Sequence, residues 1–252
     1  MSNSLAMRKV FGGKDNKELS DEYPTYVTPD GATFAIWGFI YLFEMVLVVA
    51  QLFPSEHAEG LLASQCLWTG LSARKRLILA FLLNGVWLPV FNNERFWAAL
   101  AIMAAYFATL LSVYSDVNVG VTEGVLETVA LSTGIAMNAS WIVVALLVNV
   151  FFCGAFVGWK DRYGVAGSVP AAVVAAAAVA AIGCERAARG GDLAWAFVAA
   201  WALRGIFRMQ TFADRVRFPV PAMSKGLGLA ARLGSLVVGG VMAVKAASRL
   251  WV

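Results

Sequence analysis

Six polar side chains interrupt otherwise apolar runs: Glu44, Gln51, Asn84, Asn138, Asn149 and Arg204. Inside a membrane such a group is costly, so each should face protein or a cavity. Three chemistries are open to them. A carboxamide can hold two helices together, it can offer hydrogen bonds to the polar edge of a ligand, and a carboxyl such as Glu44 can carry a proton. In "GATFAIWGFIYLFEMVLVVAQ", Trp37, Tyr41, Glu44, Val48 and Gln51 recur at steps of four and three, which places them on one helical face. Asn138, Trp141, Ala145 and Asn149 share a face by the same spacing, and so do Asn84, Trp87 and Phe91. Counted at about 1.5 Å per residue, Trp37, Asn84 and Asn149 each lie about 10–13 Å from the N-terminal side of the membrane. Two layers are therefore expected: an aromatic–amide layer near that side, and a deeper Glu44–Asn138 contact in which Glu44 is protonated or hydrogen-bonded. Interhelical glue and a ligand cavity both fit this pattern.

Long apolar elements must carry these stripes. The 252 residues are 60% hydrophobic and 14% charged, with mean hydropathy +0.71. A soluble domain is about half apolar and a quarter charged. Runs at 30–53, 74–92, 95–115, 128–158, 167–185 and 191–209 each approach the length that crosses a bilayer. A seventh, near 227–250, is bracketed by Arg232 and Lys245; it either spans with both side chains snorkelling or lies in the interface. The fold class is all-α, a polytopic helical membrane bundle of six to seven transmembrane helices. Residues 1–29 form a polar N-terminal segment, 30–209 the core, 210–226 a connector around "FPVPAM", and 227–252 a C-terminal helix. The run 128–158 exceeds the membrane thickness and should tilt or project. "VPAAVVAAAAVAAIGC" has the small side chains that let helices approach closely.

The net charge of +4 comes from basic residues at the ends of apolar runs and implies no nucleic acid partner. Arg8, Lys9, Lys14, Lys17, Arg95, Lys160, Arg162, Arg208, Arg215, Arg217 and Lys225 fall on one side, which places the N-terminus on the cytoplasmic or equivalent side. Arg204 is shallow enough to snorkel. Trp97, Trp159, Trp195 and Trp251 read as an interfacial belt. The polar N-terminus has no apolar core of a secretory signal. Cys66, Cys153 and Cys184 are too scattered for a disulfide framework or a structural metal. His57, the single histidine, sits near Glu56 and Glu59 and reads as a solvated loop residue rather than a metal ligand. With no acid and serine placed to serve it, hydrolase chemistry is not expected.

Three blocks carry a resemblance. "TPDGATFAIWGFIYLFE" supplies Pro29 followed by Trp37 and Tyr41 four apart. "LLNGVWLPVF" supplies Asn84, Trp87, Pro89 and Phe91. "NASWIVVALLVN" supplies Trp141, Ala145 and Asn149. In this order and spacing they resemble the TspO/MBR family, the tryptophan-rich sensory or translocator proteins, in its longer branch, over about residues 18 to 208. The resemblance implies a TspO-like helical core and a pocket that binds a tetrapyrrole, such as a porphyrin or heme, or a sterol. The implied ligand-binding residues are Trp37, Tyr41, Asn84, Trp87, Trp141, Ala145 and Asn149. It also implies a homodimer, and at most a minor porphyrin photo-oxidation activity rather than an enzyme. The sequence departs from the family in three ways. The usual first helix has no counterpart before "TPDG", Gly31 and Ala32 stand where an aromatic is common, and Asn138 occupies another position that is often aromatic.

Three functions remain in competition. One is a receptor for a lipophilic small molecule, sensory or transporting. Another is a non-catalytic subunit of a larger membrane complex that carries pigment or redox groups, in which Asn, Gln or Glu could ligate a chlorophyll-type magnesium. The third is a small proton-coupled transporter built on Glu44.

Overall fold

Serine starts the helices in four places. Ser55, Ser72, Ser168 and Ser224 each accept a hydrogen bond from the backbone N–H three residues on, satisfying a donor that the first helical turn leaves orphaned. A computed structural model describes residues 12–212 and 223–249. Its helices are α1 (Asn16–Glu22), α2 (Ile36–Ala50), α3 (Glu56–Ala63), α4 (Ala73–Asn92), α5 (Phe96–Val117), α6 (Thr133–Phe156), α7 (Val169–Glu185), α8 (Leu193–Phe212) and α9 (Lys225–Ser248). A 3-10 turn, Gly31–Ala35, leads into α2. A π-helical stretch, Thr128–Ser132, leads into α6, and another, Arg186–Gly190, ends α7. No strand occurs among the described residues.

Each of the seven apolar runs is helical. Five stretches are long and apolar enough to cross a membrane: Gly31–Ala50, Phe96–Val117, Gly124–Phe156, Val169–Gly190 and Lys225–Ser248. That is fewer than the six to seven expected. The other two long helices, α4 and α8, have 20 residues each, but α4 opens on Arg74, Lys75 and Arg76 and α8 carries Arg204 and Arg208. The C-terminal helix, the weakest candidate from sequence, is within the set. The stretch Gly124–Phe156 has 33 residues, about 50 Å of helix against a hydrocarbon core of about 30 Å.

The long helix α6 is the axis of the bundle; more of its span is buried than of any other. It packs on α2, α5 and α8, while α4 packs on α5, and α7, α8 and α9 pack together. Residues 213–222 of the connector, together with Arg8, Lys9 and Trp251, lie outside the described residues, while Gln210–Phe212 end α8 and Lys225 begins α9.

The segment 12–30 is tied down. Asp15 and Glu18 form a capping box on α1. Lys14 bridges to Glu94 at 2.6 Å and to Glu22, and the Tyr23 hydroxyl donates to Glu94 at 2.8 Å. The Tyr26 hydroxyl donates to Asp161 at 2.5 Å, and Arg208 donates to Asp30 at 2.7 Å. The polar segment is thus a strap across one end of the bundle.

At the other end, Arg76 is buried and fully engaged. It donates to the carbonyls of Leu71, Ser112 and Ser64 and pairs with Asp116. His57 is not in a loop: it lies in the first turn of α3, and its Nδ1 is 2.8 Å from a Glu127 carboxyl oxygen. No cluster of His, Cys, Asp and Glu suited to a metal occurs among the described residues.

Candidate functional site

The strap and three helices line a chamber with an open mouth. From α2 come Trp37 and Tyr41, from α4 come Asn84, Trp87, Leu88 and Phe91, and from α6 come Trp141, Val144, Ala145, Val148, Asn149 and Phe152. The seven residues that the resemblance implies for ligand binding all line it, whereas Glu44, Val48, Gln51 and Asn138 from the shared faces do not. Trp37, Trp87 and Trp141 turn inward.

The walls are ordered by ring contacts. Trp37 stacks on Tyr41 with centroids 5.3 Å apart, and it meets Trp141 edge-on at 6.2 Å. Trp87 stacks on Phe91 at 5.1 Å. Phe34, from the 3-10 turn, meets Trp141 edge-on at 5.6 Å. It supplies an aromatic wall near the point where Gly31 and Ala32 leave the sequence without one. Contacts of this geometry favour aromatic pairs beyond the area they bury. Pro89 lies inside α4; without an N–H it cannot satisfy the carbonyl one turn back, at Gly85.

The two amides of the layer do different work. Asn149 is buried and occupied: its Oδ1 accepts from Trp87 Nε1 at 3.2 Å and its Nδ2 donates to the Ala145 carbonyl at 2.8 Å. It holds Trp87 against α6. Asn84 has no hydrogen-bond partner among the described residues and lines the chamber. The sequence admitted glue or cavity for both; the geometry assigns glue to Asn149 and a free polar face to Asn84.

Sequence reasoning missed the strap's share of the wall. Asn16, Ser20, Thr28 and Pro29 line the chamber from above, and Asn16 Oδ1 is buried without a partner among the described residues. The capping pattern Asp15–Glu18 was the available signal that a helix begins there. Phe152 was also missed, although it follows Asn149 by three on the same helical face.

The long α2 stripe breaks after Glu44. The buried face of α2 is Ile36, Ile40, Glu44 and Leu47, and Val48 is exposed. Gln51 lies outside the chamber and accepts from Arg74 Nε at 3.1 Å. Arg204 is exposed, and Trp195 is buried against Tyr114 rather than placed in a belt.

Below the chamber the deeper layer is in contact. Asn138 Nδ2 lies 2.5 Å from Glu44 Oε1 and 2.5 Å from the Tyr106 hydroxyl.

Outside the membrane-spanning stretches, electrostatics act at the two ends. Lys14 and then Tyr23 donate to Glu94 and hold its carboxyl below the usual range, while burial pushes the Tyr23 hydroxyl up to about 12. Burial raises Asp192 above the ordinary carboxylate range, against hydrogen bonds from the Trp195 N–H and the Tyr114 hydroxyl.

A family model described as TSPO-like protein matches residues 1–238. No curated protein and no solved structure matches the chain.

Proposed function

The chain belongs to the TSPO-like family, and on that premise we propose that it binds a flat lipophilic ligand of the tetrapyrrole type in the chamber between α2, α4 and α6, in a sensory or transport role. One observation carries this reading: Asn84 presents an amide with no partner among the described residues to a chamber walled by Trp37, Trp87 and Trp141. An amide at this depth with no protein partner is costly unless a guest or water satisfies it. A macrocycle would stack on the indole faces while Asn84, Ser20 and Asn16 meet its polar edge. Among the described residues no histidine, cysteine or methionine lines the chamber, so the usual nitrogen and sulfur ligands of haem iron are lacking there. The donor set suits a metal-free porphyrin better than haem.

The N-terminus is assigned to the cytoplasmic or equivalent side, on loop charge. Lys14, Arg208, Lys160 and Arg162 gather at the strap end, where Lys14 meets Glu94 and Arg208 meets Asp30.

The test is a titration of the purified full chain in nanodiscs with protoporphyrin IX, read by tryptophan emission. Saturable quenching that weakens in Trp37→Leu is expected. Quenching that does not saturate, or is indifferent to that substitution, rejects the reading. An absorption spectrum of the gently purified protein would reveal a pigment that travels with it.

A further inference from the structure

The Glu44 cluster lies one helical turn from the chamber wall and takes no part in the binding proposed above. Glu44 is 8% exposed, and Asn138 and Tyr106 are fully buried. From α6 Glu44 faces Asn138, and from α5 the cluster is closed by Tyr106. On its own helix Tyr41 stands one turn away, at the chamber wall. The π-helical stretch that packs on α2 and α5 adds no charge; its buried Ser132 Oγ has no partner among the described residues. No Lys, Arg or His lies within ion-pair distance of Glu44 among those residues. A carboxyl so placed has no counter-ion and must settle its charge by a proton or by hydrogen bonds.

Asn138 can serve both outcomes. With Nδ2 toward the cluster it donates to an ionised Glu44 and to the Tyr106 oxygen, and its Oδ1 is then left without a partner. Turned over, Oδ1 accepts from a protonated Glu44 and from the Tyr106 hydroxyl, and Nδ2 is left over. Each orientation matches one protonation state of Glu44 and leaves one amide atom unmet, so neither is locked in.

The seam around the cluster is tight and irregular. A Cβ on Gly134, one turn before Asn138, would meet the backbone of Phe43 at 2.8 Å and of Glu44 at 2.9 Å. The π-helical stretch ends at Ser132, and such interruptions within helices recur at functional sites.

We propose that Glu44, Asn138 and Tyr106 form a proton-binding site within the membrane, in which Glu44 takes up a proton from water and the Asn138 amide turns over to follow it. The bond formed is O–H on the Glu44 carboxyl; the reverse step returns the proton to water. The chamber wall includes Tyr41, three residues before Glu44, and Trp141, three residues after Asn138.

Infrared difference spectra of the full chain across a pH titration test this without any ligand. Wild type should display a protonated-carboxyl C=O band that Glu44→Gln removes. Tyr106→Phe, which keeps Glu44 in place, should displace the midpoint of that band by about one pH unit, a tenfold change in proton affinity. If Glu44→Gln leaves the difference spectrum unchanged, Glu44 does not exchange a proton and the proposal fails. If Glu44→Gln does not fold, Tyr106→Phe decides alone: a band whose midpoint does not move is not this site. Porphyrin binding could fail with the proton band intact, so the two readings fall separately.

Discussion

A methyl group added at Gly183 of α7 would come within 2.9 Å of the Ala199 Cβ of α8 and 3.3 Å of Val238 of α9. One added at Gly85 of α4, which is exposed and does not line the chamber, would meet nothing within 4 Å. The polar groups differ in the same sense. In the α7–α9 half, Ser235 donates to the Ala200 carbonyl at 2.9 Å, and Ser140 of α6 donates to the Trp195 carbonyl at 2.8 Å. In the chamber half, Asn84 and the Oδ1 of Asn16 have no partner among the described residues. The α7–α9 seam is closed by small side chains and satisfied hydroxyls, although the buried Gln210 Nε2 of α8 has no partner among the described residues. The chamber leaves Asn84 and Asn16 Oδ1 unmet.

The largest break in this comparison should come from Gly183→Leu. It overfills the α7–α8–α9 seam and should lower stability in detergent by about 1–3 kcal/mol, read by thermal unfolding, while Gly85→Leu should cost nothing comparable. Equal losses would mean that the α7–α9 seam relaxes around the added side chain. Next is Asn149→Leu. It strands the Trp87 N–H and should cost about 1 kcal/mol of stability, with a weaker porphyrin response because Trp87 loses its anchor.

Asn84→Leu removes no protein partner, so unfolding should shift by no more than about 0.5 kcal/mol. Porphyrin affinity should nonetheless fall about 5- to 10-fold, the worth of one lost hydrogen bond. A stability loss as large as that of Asn149→Leu would make Asn84 glue after all.

The smallest effect concerns pH at two ends of the bundle. Glu94 has a depressed folded value, so its stabilisation is present above the unfolded carboxylate range and is lost as pH falls through the folded value. Asp192 has a raised one, so its contribution is present below the unfolded value and is lost as pH rises through the folded value. Acidification should loosen the strap and not the α7–α8 turn, read as proteolysis near residues 12–30 with the turn protected.

Much of the fold was legible because hydropathy is a one-dimensional property: each apolar run became a helix. Face-sharing was legible as far as one helix reaches, which is why Trp37 with Tyr41 and Trp141 with Asn149 came out together. The α2 stripe failed at Val48 because a helix can turn its surface from protein to lipid within one turn, and both environments accept valine. The strap's part in the chamber was illegible because a polar segment carries no periodic signal.

By itself, then, the sequence determined the helical membrane class and the family blocks, since these follow from local composition and from spacing along single helices, and the resemblance carried by those blocks supplied seven of the residues that line the chamber. Only the tertiary structure decided that Asn149 is spent on Trp87 while Asn84 is not, that Tyr106 joins Glu44 and Asn138, and that α1 roofs the chamber. Each of those depends on which groups from distant parts of the chain come within hydrogen-bonding reach, and residue spacing along the chain does not encode that distance.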